Sequence, residues 1–372
     1  MGKRPHRFEP LQYWALRFSL IFIGFFFIIH FHLVRFLEQS TGKAIKKHRR
    51  VGYLHFATYA SHHGRDDRLC RMLESALRSD IDLNVLGWGQ KWKGLSQKIV
   101  AAYTFASSLP PNDVILFTDA FDSMFVSGNV EKIKNEFVSM DADVAFAAEC
   151  GCWPHIVINA TICHDHRVGY PKSPTSQRYL NSGSWIGYAG KAKEMLATVI
   201  QMAGTHLDNA NDQELLANLF LSRRMDIKLD VYSRIFQSMH STKQGIEPVR
   251  SKKKKTICNP PADIISLADG TLFNNRTKTS PVLFHFNGGS KMLHLLYDSQ
   301  TWYRRRPEAN TPEVLAAIRA KELMTSEGKI AFQTICFNYS STLPSHKRLG
   351  QLTKSASSSS STSSSSSLSS SS

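Results

Sequence analysis

The chain has 372 residues, 42% of them hydrophobic, and a net charge of +16 from 46 Lys and Arg against 30 Asp and Glu. That is enough apolar material for one large domain or two small ones with a core. The basic excess raises nucleic acid, an anionic membrane or an acidic ligand as partners, but no aromatic residues interleave with the basic ones as in a nucleic-acid module, so nucleic acid is set aside.

In chain order, Phe18 to Ile29 is an uninterrupted run of apolar and small residues that continues past His30 and His32 to Val34, between Arg17 and Arg35. Its length is near the short limit for a membrane helix of ~17–25 residues. No small-residue cleavage site follows. The expectation is a cytosolic tail over 1–13, an uncleaved transmembrane signal-anchor over 14–35 and a basic stem over 36–50. More Lys and Arg follow the span than precede it, which by itself would put the remainder in the cytoplasm. The donor chemistry reached below argues for the opposite orientation.

From Val51 the pattern alternates strand and helix. VGYLHFATYA reads as a first strand, and Leu69, Met72, Leu73, Ala76 and Leu77 recur at helical spacing. LNVLGW is a second strand, followed by a basic loop with glycines and a helix from about Ser96. Val114 to Phe117 is an apolar run of the kind buried on both faces of a sheet, and it leads through Thr118 into Asp119 and Asp122. Asn129 is placed to cap a helix bearing Ile133, Phe137 and Met140, and VAFAA (Val144 to Ala148) is a fourth strand. The alternation predicts an α/β fold with a mainly parallel sheet. No G-x-G-x-x-G and no P-loop follows any strand, so a dinucleotide enzyme and a P-loop NTPase are both unsupported.

Cys150 to Pro174 reads as a long loop and therefore a functional candidate. Tyr179 to Tyr188 reads as a strand interrupted by Asn181, Ser182 and Gly183. Two helices follow, the second opening at Asn211 with Glu214 as a capping box and carrying Leu215, Leu216, Leu219 and Phe220. Val282 to Phe286 is a late strand that ends in His285, Asn287, Gly288 and Gly289. Thr311 and Pro312 open a last helix, expected to run through Leu315, Ile318 and Leu323. The stretch 351–372 is nearly pure serine and is expected to be disordered.

Carboxylates at the C-terminal end of a buried strand sit where open α/β sheets place their ligands. Two such oxygen donors on one turn can hold Mg²⁺ or Mn²⁺ against a diphosphate. The six cysteines (Cys70, Cys150, Cys152, Cys163, Cys258 and Cys336) match no zinc spacing. Cys150 and Cys152 are too close to join each other, and either could pair with Cys163. One or two disulfides are expected if the domain is lumenal.

The ordered blocks FTDAFD, AECGCWP, YLNSGSWIGYA, NDQELL, YSRIFQ and HFNGGSK resemble the glycosyltransferase domain of the procollagen lysyl hydroxylase family, over about Val51 to Tyr303. The resemblance implies a GT-A fold over 51–310, with 311–350 as a C-terminal helix and extension. It also implies Mn²⁺ as cofactor and a UDP-sugar as donor. Asp119 and Asp122 match the family's metal-binding aspartates and His285 its third ligand; two carboxylates and an imidazole suit Mn²⁺. In the run Asn287-Gly288-Gly289 the glycines would let backbone amides approach the diphosphate. Lys291 would neutralise charge on the UDP leaving group. Lys98 matches a lysine that contacts the nucleotide, Trp153 an aromatic that could cover the sugar, and Asn181, Ser182 and Gly183 the segment that meets sugar hydroxyls. Asp212 matches the last aspartate of an acidic run on the acceptor and catalytic side, thinned here to Asp208, Asn209, Ala210, Asn211 and Asp212. The family has Pro where this chain has Gly289, and Gly where it has Phe286, which alters the loop around the ligands.

About 50 residues follow Arg319, too few for the family's hydroxylase domain. The expectation is therefore a single-pass type II transferase of the Golgi or endoplasmic reticulum membrane with a lumenal catalytic domain. It would move galactose or glucose from UDP-galactose or UDP-glucose to a hydroxyl of a protein or glycan. Sequons at Asn159, Asn275 and Asn338 fit a lumenal placement. The alternative is a membrane-tethered binding or scaffolding protein that kept the fold and lost turnover.

Overall fold

The computed structural model describes residues 51–61, 67–154, 163, 169–240, 258 and 260–340. The predicted tail, signal-anchor and stem, the sequon at Asn159, the lysine run at 252–255 and the serine tail lie outside the described residues. Among the described residues, no helix is long and apolar enough to cross a membrane.

The first half follows the predicted alternation. Strand β1 (Leu54–Tyr59) leads to α1 (Asp67–Arg78), β2 (Leu83–Leu86), α2 (Ser96–Ser107) and β3 (Val114–Asp119). β1 pairs in parallel with β2 on one side and β3 on the other. The helical stripe of α1, from Leu69 to Leu77, is buried as its spacing requires. Every residue of β3 is buried except its last, Asp119, which emerges at the C-terminal edge of the sheet. A short β4 (Ser123–Phe125) turns away, and Asn129 caps α3 (Val130–Ser139) by accepting the Lys132 amide. Ile133 and Phe137 are buried; Met140 lies at the cap and is half-buried.

β5 (Val144–Glu149) is not the direct neighbour of β3. Strand β6 (Tyr179–Tyr188) lies between them, antiparallel to both. The polar segment expected to interrupt β6 instead makes a bulge. Phe146 faces Trp185, but the next residue of β5, Ala147, faces Asn181. The residues between Asn181 and Trp185 thus leave the β5 ladder and turn toward the site, as bulges beside functional sites do. Helices α4 (Ala189–Ala203) and α5 (Asp212–Ser222) follow. Asn211 caps α5 by accepting the amides of Gln213 and Glu214; Leu216 and Leu219 are buried, while Leu215 and Phe220 are half-buried. β7 (Ile227–Asp230) pairs in parallel with β5. A small second sheet sets β11 (Leu283–His285) antiparallel to β4 and parallel to β8 (Phe236–Ser238), and β9 (Ile264–Ser266) with β10 (Leu272–Asn274) forms a separate pair.

The helix opened by Thr311 stops earlier than expected, and a short helix, Phe332–Ile335, follows it later in the chain. The former spans Pro312–Ala320, with Thr311 accepting the Val314 amide, and Leu323 belongs to β12 (Glu322–Thr325). Burial alternates along β12, with Leu323 and Thr325 inward and Glu322 and Met324 outward, a period of two rather than 3.6. β12 pairs in parallel with β2 and antiparallel with β13 (Gly328–Ala331), completing the order β13-β12-β2-β1-β3-β6-β5-β7. The pleat sends Leu54, Phe56, Val114 and Leu116 to the core under α1 and α3. Ala57, Ile115 and Phe117 enter the core under α2 and α4.

Three disulfides form: Cys70–Cys336, Cys150–Cys258 and Cys152–Cys163. Of the two pairings left open for Cys163, Cys152 takes it. Cys70–Cys336 ties α1 to the C-terminal segment beside a buried charge cluster. There Arg71 meets Asp298 at 2.6 Å, Arg304 meets Glu74 at 2.6 Å, and the Tyr339 hydroxyl donates to Glu74 at 2.6 Å. The bridge closes a loop of 266 residues. The double substitution Cys70→Ala with Cys336→Ala is expected to destabilise the fold by roughly 2–5 kcal/mol, read as a lower urea midpoint in non-reducing buffer.

Candidate functional site

Two sheets converge on one point. β3 delivers Asp119 at its end, the turn into β4 delivers Asp122, and β11 delivers His285, held opposite Ser123 by the β4–β11 pairing. The Phe286 amide also donates to the Asp122 carbonyl at 2.6 Å, which locks the two segments together. One ligand atom from each of Asp119, Asp122 and His285 lies within 4.8 Å of the others. His285 Nε2 stands 3.4 Å from Asp122 Oδ1 and 3.8 Å from Asp119 Oδ2.

The imidazole is set for coordination. Asn181 Oδ1 accepts the Gly183 amide at 3.0 Å and Asn181 Nδ2 donates to Glu149 at 3.2 Å, which fixes which end of that amide is oxygen. His285 Nδ1, 2.9 Å from Asn181 Oδ1, must therefore be the protonated nitrogen. Nε2 is buried, has no hydrogen-bond partner among the described residues and faces two carboxylates. An orphaned nitrogen aimed at two acidic oxygens fits a divalent cation shared by all three. Burial opposes a charge on His285, but Asp122 and Asp119 outweigh it and hold its pKa above the ordinary value. Burial likewise opposes charge on Asp122, yet His285 and Lys291 keep its carboxyl well below the usual range.

Glu149, at the end of β5, is the hub behind this cluster. One of its oxygens accepts from Asn181 and, at 2.7 Å, from Gln213; the other accepts from Asn287 at 2.7 Å. Asn287 Oδ1 in turn accepts the His240 amide at 3.1 Å. Burial pushes the Glu149 carboxyl up to about 7, against the pull of these amide donors. Ser182 joins the network by donating to Gln213 Oε1 at 3.3 Å.

Lys98, from the first turn of α2, bridges Asp119 and Asp212, 2.9 Å from each. Burial disfavours its charge, but the two aspartates hold its pKa well above the ordinary lysine value. Asp212 is the first residue of α5, so one ammonium joins the metal cluster to that helix's N-terminus. Lys291 is half exposed and reaches Asp122 at 3.1 Å. Gly288 opens the 3₁₀ turn Gly288–Leu293 at φ +58°, with the His240 ring where a Cβ would stand. Gly289 faces open space, and Phe286 is fully buried beside Phe284, His294 and Tyr297. Trp153 is the outlier. Its carbonyl accepts from Gln213 at 3.3 Å, while the residue is 50% exposed at the rim.

Gly183 is constrained by the cluster itself. A Cβ there would lie 2.2 Å from His285 Cε1 and 2.8 Å from Asp119 Oδ2. Gly183→Ala is expected to displace His285 and cost at least about tenfold in divalent-metal affinity, measured by calorimetric titration, and to lower the melting temperature by about 2–4 °C.

Sequence reasoning passed over Glu149 and Gln213. The available signal for Glu149 is that it ends an otherwise apolar strand, VAFAAE, just as Asp119 ends VILFTD. Two buried strands ending in acids at the same edge of one sheet mark a ligand site more strongly than either alone.

Residues 52–303 match the family described as PLOD GT domain. Relatives include the procollagen-lysine,2-oxoglutarate 5-dioxygenase of Drosophila melanogaster, 31% identical over 61% of this chain and 29% of the relative. Another is the multifunctional procollagen lysine hydroxylase and glycosyltransferase of Caenorhabditis elegans, 28% identical over 62% of this chain and 30% of the relative. The chain thus spans about three-tenths of the length of these curated relatives. A solved glycosyltransferase involved in the glycosylation of the major capsid of PBCV-1 aligns over 67% of this chain and 98% of its own, at 10% identity and a TM-score of 0.39.

Proposed function

The chain belongs to the PLOD GT domain family, and from that premise we propose that it is a glycosyltransferase of GT-A fold. In this reading it transfers a hexose, galactose or glucose, from a UDP-sugar to a hydroxyl of a protein or glycan acceptor. The observation that carries the proposal is the Asp119–Asp122–His285 cluster at the C-terminal edge of the sheet, with an orphaned buried nitrogen at its centre.

A divalent ion held there, Mn²⁺ in this proposal, would offset the charge that builds on UDP as it leaves. The chain's own residues supply the remaining functions. Lys291, now on Asp122, is exposed enough to reach a phosphate and neutralise it. Beyond Asn287 and Gly288, whose Cβ position is filled by the His240 ring, the backbone at Gly289 faces open space where a diphosphate can approach its amide. Lys98 holds Asp119 and Asp212 on one ammonium and so fixes the acceptor side relative to the donor side. Asn181 and Glu149 keep His285 in the tautomer a metal requires. Trp153 at the rim is placed to cover the sugar.

The same proposal places the domain in the lumen of the Golgi or endoplasmic reticulum, anchored by the span at 14–35. Three disulfides support an oxidising compartment, and the sequon residues Asn275 and Asn338 are both exposed. Protease protection on intact membranes tests that orientation.

The test of transfer is UDP release by the full chain from UDP-galactose and from UDP-glucose with Mn²⁺, wild type against Asp119→Ala. The expected result is release from one donor that falls by about 10²–10³-fold in the variant. Equal background rates in both proteins would sink the transferase and favour a binding protein that has lost turnover.

A further inference from the structure

A second cavity, of about 600 Å³, opens behind the small sheet. It sits at the end of the β4–β11 ladder away from His285, where the Val126 amide donates to the Val282 carbonyl at 2.9 Å. Three residues of strand, about 10 Å, separate that end from the metal cluster. Its volume falls within the ~300–1,000 Å³ of small-molecule sites. Close backbone approaches shape its walls. A Cβ on Gly128 would lie 1.7 Å from the Ser79 carbonyl oxygen, and one on Gly270, at φ +85°, would lie 2.4 Å from Trp302 Cα.

Three groups lining the cavity lack the partners their chemistry calls for. Ser79 is 8% exposed, and among the described residues its hydroxyl has no hydrogen-bond partner. The Lys132 amine donates to the Ser280 carbonyl, and among the described residues it forms no ion pair. Burial lowers the Lys132 pKa, with Glu136 pulling the other way. Arg306 rests over the Trp302 indole, 5.7 Å from its centroid, and its guanidinium makes no hydrogen bond among the described residues. Two carboxylates also line the cavity, and Asp269 lies within electrostatic reach of Arg306. Asp80 pairs with Lys321 at 2.9 Å, and Asp269 accepts the Thr271 amide and hydroxyl at 2.9 and 3.0 Å.

Two cations that form no close ion pair, an indole and an unsatisfied hydroxyl, all judged among the described residues, line one concave space and match a ring that carries both hydroxyls and a negative charge. We propose that this cavity is a second saccharide site that takes an acidic sugar unit of a glycan. Its carboxylate or sulfate lies on Lys132 and Arg306, its ring beside Trp302, and a ring hydroxyl on Ser79. A free phosphate would satisfy the cations and leave the indole and the Ser79 hydroxyl without a role. Sugar binding here is separate from the transfer reaction, and it can be read with no donor and no metal present.

The test titrates the full chain with three probes: a glucuronate-containing disaccharide, neutral cellobiose and inorganic phosphate, by calorimetry and saturation-transfer NMR. The acidic disaccharide is expected to saturate, with cellobiose and phosphate each weaker by about tenfold or more. Arg306→Ala and Lys132→Met are each expected to weaken it about tenfold, the loss of one charge-assisted hydrogen bond, while UDP release stays unchanged. Arg306 is exposed, so its variant keeps the test valid if Lys132→Met fails to fold. Absence of saturation, unchanged affinity in the folded variants, or phosphate binding as tightly as the disaccharide would each overturn the proposal. Loss of UDP release by Asp119→Ala, or its absence altogether, leaves this result untouched.

Discussion

His285→Ala is expected to abolish divalent-metal binding and to lower UDP release from the nucleotide sugar by about 10³-fold, with the fold intact. The two nitrogens of one ring set this outcome. Nδ1 donates to Asn181, so the lone pair of Nε2 points at Asp122 and Asp119. With no cation between them, that arrangement favours a proton on Nε2, which is why the neighbouring carboxylates raise the His285 pKa despite its burial. A metal must displace that proton. Metal affinity should therefore fall as pH drops through the raised His285 pKa. Calorimetric titration in two buffers of different ionisation enthalpy should detect a released proton in the wild type. His285→Gln offers an oxygen or a neutral amide in place of the imidazole and should bind metal weakly with no proton released. Equal metal affinity in the wild type and His285→Ala would remove the cluster as a metal site.

How much of this was legible depended on whether a residue's role follows from its own strand. β3 is legible because a short apolar run rich in β-branched and aromatic residues has the composition of a strand buried on both faces, and Asp119 stands at its end. The same holds for α1 and for the Asn129 and Asn211 caps, whose signals are local. The insertion of β6 between β3 and β5 left no such trace. A strand buried on both faces has the same composition whichever way it runs, so pairing direction is set by the chain's return path rather than by its residues. Leu323 falls five positions after Ile318, where 3.6-fold periodicity wants three or four, so grouping it with the preceding helix hides β12. Among the site residues, His285 lies 163 positions after Asp122, and spacing alone could not join them; the ordered blocks of the family did. Glu149 stayed hidden for a different reason. Its partners Asn181, Gln213 and Asn287 come from three separate segments, and only the fold shows that a single acid collects them.

That acid is where the second large effect is expected. Glu149→Ala removes the acceptor of three buried amide donors, of which Gln213 alone keeps a second acceptor in the Trp153 carbonyl at 3.3 Å, and should cost roughly 2–4 kcal/mol of stability and about 10–100-fold in metal affinity through the loosened Asn181–His285 bond. Glu149→Gln separates shape from charge. All three groups facing Glu149 are donors, so a glutamine must turn its own NH₂ toward at least one of them and lose that hydrogen bond. The pH dependence identifies the group responsible. Burial lifts the Glu149 carboxyl to about 7 in the folded protein, above an unfolded value of ~4.3. The folded state therefore binds an extra proton between those two values. The resulting stabilisation is fully present at the lower end and lost as pH rises toward 7, with no further change above. Glu149→Gln cannot titrate, so its deficit against the wild type should be larger at pH 5 than at pH 8, as read from urea midpoints of the metal-free proteins. An equal deficit at both values would mean that Glu149 is already ionised at pH 5. Its hold on Asn181, Gln213 and Asn287 would then not change with pH, and the hub would be a fixed strut in the site rather than a group that trades a proton.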